Sequence, residues 1–295
     1  MKTLPFTGSG VAIITPFDGD KTNYDALGEI IEAQIAGSTD AIIICGTTGE
    51  ASTMPDAEHL AAIEYTVKKV NGRVPVIAGT GSNDTVHAIY LSQQAEKLGV
   101  DGILTVTPYY NKTSQHGLVK HFTAIAESVK IPVILYNVPG RTGMSISIEA
   151  LKELAKVENI VGIKEASGDI SYATKVAAQV PELHMYSGND DMIVPLLSIG
   201  AKGVISVLAN VMPKETHDIC QLYFDGEVEK SRELQLKLLG LCDALFIEVN
   251  PVPVKTAMGL LGFTTGNLRA PLCEMTDAHL ETLKNEMTKV GLKIK

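Results

Sequence analysis

The stretch PVILYNVPGRTGMSISIEALKELAKVENIVGIKEASG, residues 132–168, decides the fold. Two apolar, β-prone runs flank an amphipathic segment that begins at the capping residue Ser147. This unit repeats along the chain, and the predicted strands are residues 11–15, 41–45, 74–78, 102–106, 132–138, 160–166, 183–187 and 203–208. Runs rich in Val and Ile suit a parallel sheet that is covered on both sides. Eight such units predict an α/β fold, the TIM (β/α)8 barrel.

Residues 226–295 contain only helical patterns, such as the leucine stripe from Leu234 to Leu245. We therefore predict a barrel over residues 1–225 that carries the active site, and a C-terminal helical region over residues 226–295 that packs on it as an appended layer. An open, doubly wound sheet is the alternative, but it usually begins with a Gly-rich phosphate loop. Gly79–Gly81 lacks the third glycine of that loop.

The composition, with 45% hydrophobic residues and a net charge of −9, indicates a soluble globular protein. This charge argues against nucleic-acid binding, because no basic patch is present to neutralise phosphates. The four cysteines lie far apart in the sequence, which predicts reduced thiols in the cytoplasm. The first residues lack the apolar segment of a signal peptide, and no run approaches the ~18 apolar residues of a membrane span. The cysteines and histidines show no metal-binding spacing. The calcium-like start at Asp18 has Asn23 where glycine is required, so we predict no metal site.

Lys164 stands within an apolar run, which is an expensive place for an amine. Because side chains alternate along a strand, Gly162, Lys164 and Ala166 share one face, and the lysine points into a space walled by small residues. An amine that is shielded from water is more readily neutral and can attack a carbonyl to form a Schiff base. A lysine that protects an edge strand is the alternative interpretation.

Hydroxyl residues fall at the ends of the other predicted strands, where a TIM barrel carries its catalytic groups. With Lys164 the set is Thr15, Thr47, Thr80, Thr107, Tyr136, Ser187 and Ser206. Each hydroxyl alone is as readily a turn or cap residue. A whole ring around one amine predicts a single active site.

Tyr136 precedes Lys164 by one strand–helix unit, so the two strands are predicted neighbours. The Pro139–Gly140 turn after it places Arg141 over the mouth, where a guanidinium suits a substrate carboxylate, although a surface ion pair is the alternative. The loop Gly46–Gly49 presents amide groups and two hydroxyls to a second carboxylate, or is an ordinary turn.

Several motifs together resemble the dihydrodipicolinate synthase family, within the N-acetylneuraminate lyase superfamily of pyruvate-dependent class I aldolases. They are GTTGE (46–50), TPYYNK (107–112), YNVPGRTG (136–143), GIKEASGD (162–169), YSGND (186–190), GVISVLANV (203–211) and NPVPVK (250–255). The resemblance implies a lyase that condenses pyruvate with L-aspartate-4-semialdehyde to 4-hydroxy-tetrahydrodipicolinate, in lysine and diaminopimelate biosynthesis.

The resemblance also implies the site residues. Lys164 is expected to form an imine with pyruvate, with no external cofactor. The expected proton relay consists of Tyr136, Thr47 and Tyr110, the last reaching across an interface into a neighbouring subunit's site. The expected substrate-binding residues are Thr48 for the carboxylate of pyruvate, Arg141 for that of the semialdehyde, and Gly188 and Ile205 along the pocket. The resemblance also implies a homo-oligomer, either a dimer or a tetramer built from dimers.

Lysine inhibition is expected to be weak or absent. The family's feedback site uses residues that match His59, Asn83 and Tyr109, so a vestigial site is predicted there. Lysine-inhibited members carry an acidic residue where this chain has His87, and often serine where it has Ala51. A histidine does not pair with the ammonium group of lysine.

Two other functions stay open at the level of sequence. One is another pyruvate aldolase of the same superfamily, an N-acetylneuraminate lyase or a 2-keto-3-deoxy sugar acid aldolase. The other is a non-catalytic relative that binds a keto acid. Arg141 favours a short carboxylated aldehyde over a sugar acid, and the intact set Lys164, Tyr136, Thr47 and Arg141 favours an enzyme.

Overall fold

The computed structural model describes residues 2–295, within which eight parallel strands form a closed barrel. Each barrel strand pairs with the next one along the chain, and the last pairs with the first. In chain order the strands are β1 (Gly8–Ala12), β2 (Phe17–Asp18), β3 (Lys21–Thr22), β4 (Ala41–Ile44), β5 (Val76–Gly79), β6 (Gly102–Val106), β7 (Val133–Asn137), β8 (Ile160–Glu165), β9 (His184–Ser187) and β10 (Gly203–Ser206), of which β2 and β3 form a separate hairpin. The predicted barrel is confirmed.

Helices follow the strands and pack around the barrel. They are α1 (Tyr24–Ala36), α2 (Asp56–Val70), α3 (Thr85–Lys97), α4 (Gln115–Glu127), α5 (Pro139–Thr142), α6 (Ile148–Leu154), α7 (Ile170–Gln179), α8 (Ile193–Ser198), α9 (Pro213–Phe224), α10 (Val228–Ala244), α11 (Val252–Leu260) and α12 (Asp277–Lys289). The last three form the appended helical layer, in which α10 packs on α9 and on α12. The division between residues 225 and 226 stays a prediction.

The first strand lies three residues earlier than predicted. Residues 8–10 read Gly-Ser-Gly and lack the apolar signal of a strand, yet they pair with Gly203–Ile205 of β10. The glycines permit close approach: a Cβ on Gly10 would lie 2.6 Å from Ile43 Cδ1, and one on Gly203 would lie 1.8 Å from Gly8 O. The other strands start and end within two residues of their predicted bounds.

The register of β7, β8 and β9 places Lys164 in the barrel interior. Lys164 pairs with Tyr136 on one side and with Tyr186 on the other. Both tyrosines belong to the apolar cluster inside the barrel, whereas Val133 and Leu135 of β7 face the surrounding helices. The alternation of strand side chains therefore fixes the direction of the amine.

Candidate active site

Lys164 lies near the carboxyl end of β8 and is 6% exposed. Its Nζ lies 4.4 Å from the centroid of the Tyr136 ring. Within residues 2–295, this amine takes part in none of the side-chain hydrogen bonds or ion pairs of the structure. Strands β8 and β9 approach closely next to this lysine, because a Cβ on Gly162 would lie 2.6 Å from His184 O. The structure thus holds an enclosed amine beside a tyrosine, as the sequence predicts.

Two further predicted pocket residues lie on neighbouring strands. Ile205 of β10 is fully buried in the barrel interior. Gly188 follows β9, and its amide donates to Glu165 O at 2.7 Å. A Cβ at Gly188 would lie 2.5 Å from that of Ala166, so this close approach requires glycine.

Asp190, which the sequence analysis did not single out, is a buried carboxylate on the same rim. It accepts hydrogen bonds from Ser206 Oγ at 2.5 Å and from the amides of Val207 and Leu208 at 3.0 and 2.9 Å. Burial raises the pKa of Asp190, and the hydrogen bonds from Ser206 and from the amides of Leu208 and Val207 oppose that rise. The only sequence signal was an acid directly after the Gly188–Asn189 turn.

Four of the predicted ring hydroxyls are engaged elsewhere. Thr80 bonds Ser92, Thr107 donates to Thr142, Ser187 donates to Asn189 O, and Ser206 donates to Asp190. These bonds hold loops and helices in place, and the ring of hydroxyls around Lys164 stays a prediction. The rule that strand ends carry function gives the position of a residue but not the direction of its side chain.

The loop 46–50 after β4 presents Thr47 and Thr48 differently. Thr48 is 3% exposed, and its Oγ1 accepts a hydrogen bond from Asn250 Nδ2 at 3.0 Å. Thr47 is exposed to solvent. Glu50 ends the loop in the left-handed conformation, at φ 55°, and is buried.

Glu50 anchors this loop to the C-terminal region. Its Oε1 lies 2.7 Å from Nζ of Lys255 on α11, and its Oε2 accepts from the amide of Arg269 at 3.0 Å. Burial lowers the pKa of Lys255, and the adjacent Glu50 carboxylate opposes that shift. Lys255 ends the motif NPVPVK, but nothing in the sequence indicates that it pairs with Glu50.

Arg141 lies on α5, exposed, beside an open cleft of about 610 Å³. Its Nη2 donates to the main-chain oxygen of Asn250 at 3.2 Å. The cleft is lined by Gly140, Arg141 and residues 246–250. A guanidinium at this position is available to a carboxylate that enters from solvent.

Tyr110 stands apart from the enclosed lysine. It is 92% exposed in the single chain and adopts φ 69°. In the part of the chain that the structure describes, its hydroxyl has no hydrogen bond to Tyr136 or Thr47. The structure therefore brings Lys164 and Tyr136 together and leaves the predicted relay through Tyr110 as a prediction.

The residues of the predicted lysine site lie around the start of α3. Asn83 Nδ2 donates to Tyr109 O at 3.3 Å, and His87 Nε2 lies 2.9 Å from Asp56 Oδ1. His59 is buried, with Nε2 at 2.8 Å from Gly79 O, and burial lowers the pKa of His59. The structure thus places a histidine–aspartate pair next to Asn83.

The described residues, 2–295, hold neither a metal-binding cluster nor a membrane-spanning helix. No cluster of three or more His, Cys, Asp or Glu side chains there has the arrangement of a metal site. None of the helices in that range is long and apolar enough to cross a membrane. The four cysteines are free thiols, three buried and Cys273 exposed.

An enclosed lysine beside a tyrosine at the carboxyl end of a (β/α)8 barrel is typical of enzymes that bind a keto acid as a Schiff base. The sequence model of the dihydrodipicolinate synthetase family matches residues 5–290, and the chain belongs to this family. The 4-hydroxy-tetrahydrodipicolinate synthase of Acetivibrio thermocellus is 60% identical over 99% of this chain and 100% of its own. That of Caldicellulosiruptor bescii is 56% identical over 98% of this chain and 99% of its own.

Solved structures agree with this assignment. The dihydrodipicolinate synthase of Aquifex aeolicus has a TM-score of 0.96 and 42% identity, and the match covers 98% of this chain and 100% of that one. A monomeric dihydrodipicolinate synthase variant has a TM-score of 0.95 and 41% identity over 98% of both chains. The predicted family is confirmed.

Proposed function

We propose that the protein condenses pyruvate with L-aspartate-4-semialdehyde to give 4-hydroxy-tetrahydrodipicolinate, a step of lysine and diaminopimelate biosynthesis. The observation that carries this proposal is the enclosed Lys164 amine over the Tyr136 ring at 4.4 Å. The names of the relatives support the choice of the product, 4-hydroxy-tetrahydrodipicolinate.

In the first half-reaction, the Lys164 amine attacks the ketone carbon of pyruvate. The resulting carbinolamine loses water to give a protonated imine, and the Tyr136 hydroxyl carries the proton that the leaving oxygen needs. Thr48 donates its hydroxyl proton to the carboxylate of pyruvate, because its oxygen already accepts from Asn250. The reaction uses no external cofactor.

In the second half-reaction, the imine withdraws electrons, so the methyl group of pyruvate loses a proton and an enamine forms. The enamine carbon attacks the aldehyde of the second substrate, whose carboxylate Arg141 holds at the cleft. Tyr136 delivers the proton to the new alkoxide. The amino group of the second substrate then displaces Lys164 from the imine carbon, which closes the ring and frees the enzyme.

A homo-oligomer, either a dimer or a tetramer of dimers, fits the exposed Tyr110. A tyrosine ring that is 92% exposed in one chain is suited to burial in a partner. In that arrangement Tyr110 completes a relay with Thr47 and Tyr136 of the neighbouring subunit. We also place the protein in the cytoplasm, where its relatives' biosynthetic chemistry is expected to occur.

The deciding experiment is reduction with borohydride in the presence of pyruvate, followed by peptide mapping. We expect one pyruvate-derived mass gain on the peptide that contains Lys164. Lys255 is a matched control, because it is the other lysine buried in the described chain near the site. The adduct disappears in Lys164→Ala; an adduct that persists there, or maps to Lys255, contradicts the proposal.

The alternative aldolases are tested with the same preparation. Arg141 beside Asn250 offers a cation to a short carboxylated aldehyde. We expect steady-state turnover with aspartate semialdehyde to exceed cleavage of N-acetylneuraminate or a 2-keto-3-deoxy sugar acid. Faster cleavage of a sugar acid would reverse the assignment.

A further inference from the structure

Asn250 lies between the two groups that are proposed to hold the substrates' carboxylates. Its Nδ2 donates to Thr48 Oγ1 at 3.0 Å, and its main-chain oxygen accepts from Arg141 Nη2 at 3.2 Å. Asn250 also lines the open cleft beside Arg141. One residue of the C-terminal region therefore contacts both halves of the site.

The side-chain oxygen of Asn250 is the atom that needs an explanation. Asn250 is 5% exposed, and its Oδ1 has no hydrogen-bond partner anywhere in residues 2–295. Leaving a buried acceptor without a donor is costly, and folded proteins seldom do so without a reason. A ligand that brings its own donor supplies such a reason.

We propose that Asn250 Oδ1 accepts a hydrogen bond from the α-ammonium group of aspartate semialdehyde and thereby selects an α-amino aldehyde. This inference rests on the proposed function. In an α-amino acid, one carbon bears both the ammonium and the carboxylate groups. An acceptor next to a carboxylate-binding guanidinium therefore recognises the two groups together.

The two ends of the amide have separate tasks. The donor Nδ2 occupies the oxygen of Thr48, which leaves the hydroxyl proton of Thr48 free for the carboxylate of pyruvate. The acceptor Oδ1 serves the second substrate. Replacement by aspartate keeps an acceptor and loses the donor, whereas replacement by alanine loses both.

Glu248 is the competing acceptor in the lining of the cleft. Its Oε1 already accepts from Thr276 N at 2.9 Å, Thr276 Oγ1 at 3.1 Å and His279 Nδ1 at 2.8 Å. The bond from the Thr276 amide is the main cause that lowers the pKa of Glu248, so this carboxylate stays charged. Glu248→Gln has nearly the same shape without the charge and is the matched control.

The test uses the full-length enzyme with aspartate semialdehyde and with succinate semialdehyde, which lacks only the amino group. Competition between them gives an inhibition constant for succinate semialdehyde whether or not it is turned over. We expect Asn250→Ala to lower kcat/KM for aspartate semialdehyde roughly 10- to 100-fold and to change that inhibition constant less than about 3-fold. Asn250→Asp retains the preference for the amine and raises the KM for pyruvate. Glu248→Gln retains the preference for the amine.

Several results overturn the inference. Equal losses for both aldehydes in Asn250→Ala make Asn250 a positioning residue for Thr48 and Arg141, and unchanged kinetics exclude both roles. Loss of the amine preference in Glu248→Gln assigns the ammonium to Glu248. If Asn250→Ala unfolds at the assay temperature, loss of the preference in Asn250→Asp overturns the inference instead.

Borohydride trapping with pyruvate separates this inference from the proposed function, because a wild-type enzyme without an adduct refutes the function itself.

Discussion

The two buried lysines, Lys164 and Lys255, differ in the partners of their amino groups. Lys255 Nζ lies 2.7 Å from Glu50 Oε1 and 2.8 Å from Asn267 O, so its charge has partners. Lys164 has the face of Tyr136 instead, and across residues 2–295 it forms no ion pair with a carboxylate. The Lys255 amine is therefore held in a structural ion pair, whereas the Lys164 amine lies beside Tyr136 without one and is free to react with a substrate.

At the residue scale, His87 determines the expected response to lysine. Its Nε2 lies 2.9 Å from Asp56 Oδ1, so the Asp56 carboxylate already has a hydrogen-bond partner. We expect sub-millimolar lysine to leave turnover unchanged, because no free carboxylate in the pair accepts the ligand's ammonium. His87→Glu supplies one and should introduce inhibition, measured as initial rate against lysine concentration. Half-inhibition of the wild type by sub-millimolar lysine would contradict this.

Sequence reasoning could pair Lys164 with Tyr136, because strand alternation and the 28-residue spacing place them on neighbouring strands of one barrel. It could not join Asn250 to Thr48, which lie 202 positions apart. No periodicity relates a turn before α11 to a loop after β4. The direction of Thr80 and Thr107 was equally inaccessible, because side chains at strand ends are set by the helices packed beside them.

At the scale of elements, the ion pair between Glu50 and Lys255 ties the loop 46–50 to α11. Both side chains are at most 2% exposed. We expect Lys255→Met to lower the free energy of unfolding by about 3–5 kcal/mol, because Glu50 keeps a buried charge without its partner. Urea denaturation measures this.

The double variant Glu50→Met with Lys255→Met removes both charges and is the control. It should lose much less free energy than the sum of the two single variants, since no uncompensated charge remains. Strict additivity would show that the pair does not interact, and the anchoring of the loop would then need another cause.

The contact between α3 and α4 predicts a pH effect. His121 on α4 is 5% exposed, with Nδ1 at 2.9 Å from Thr85 Oγ1, and burial lowers its pKa to about 4. The unfolded chain therefore binds a proton between pH 6.5 and 4 that the folded protein does not, so acidification through this window destabilises the fold. The loss reaches about 3 kcal/mol.

His121→Gln keeps a hydrogen-bonding group for Thr85 and has no titrating ring. We expect the free energy of unfolding of this variant to fall less steeply than that of the wild type between pH 6.5 and 4, as measured by urea titration at several pH values. Parallel curves for the two proteins would show that His121 titrates normally.

The elements themselves were largely predictable, since each barrel strand is an apolar run between helical patterns. The first strand was predicted too late in the chain. Its residues Gly8, Ser9 and Gly10 allow the backbones of β1 and β10 to approach closely, and hydrophobicity does not reveal this. The hairpin of β2 and β3 was missed for a related reason. Two-residue strands are too short to carry a period.

At the scale of the whole molecule, the exposed position of Tyr110 means that a single chain lacks one residue of the proposed proton relay. Tyr110 is 92% exposed and Tyr109 beside it 37%, so one chain alone leaves two aromatic rings in water. The enclosed lysine needs no partner for imine formation. A relay that uses Tyr110 does need one, so the two half-reactions should differ in their dependence on assembly.

Mixing one impaired and one inactive variant tests this dependence. We expect Tyr110→Phe to trap pyruvate normally and to turn over roughly 10- to 100-fold more slowly, because only the relay hydroxyl is lost. Lys164→Ala should be inactive but keep its Tyr110. In a mixed dimer, the subunit with Lys164 receives Tyr110 from its partner, so one complete site forms and activity rises above that of either variant. Analytical ultracentrifugation verifies that the variants assemble and exchange subunits. Activity that stays at the sum of the two separate proteins, in mixtures shown to contain mixed dimers, would mean that Tyr110 acts within its own chain or not at all.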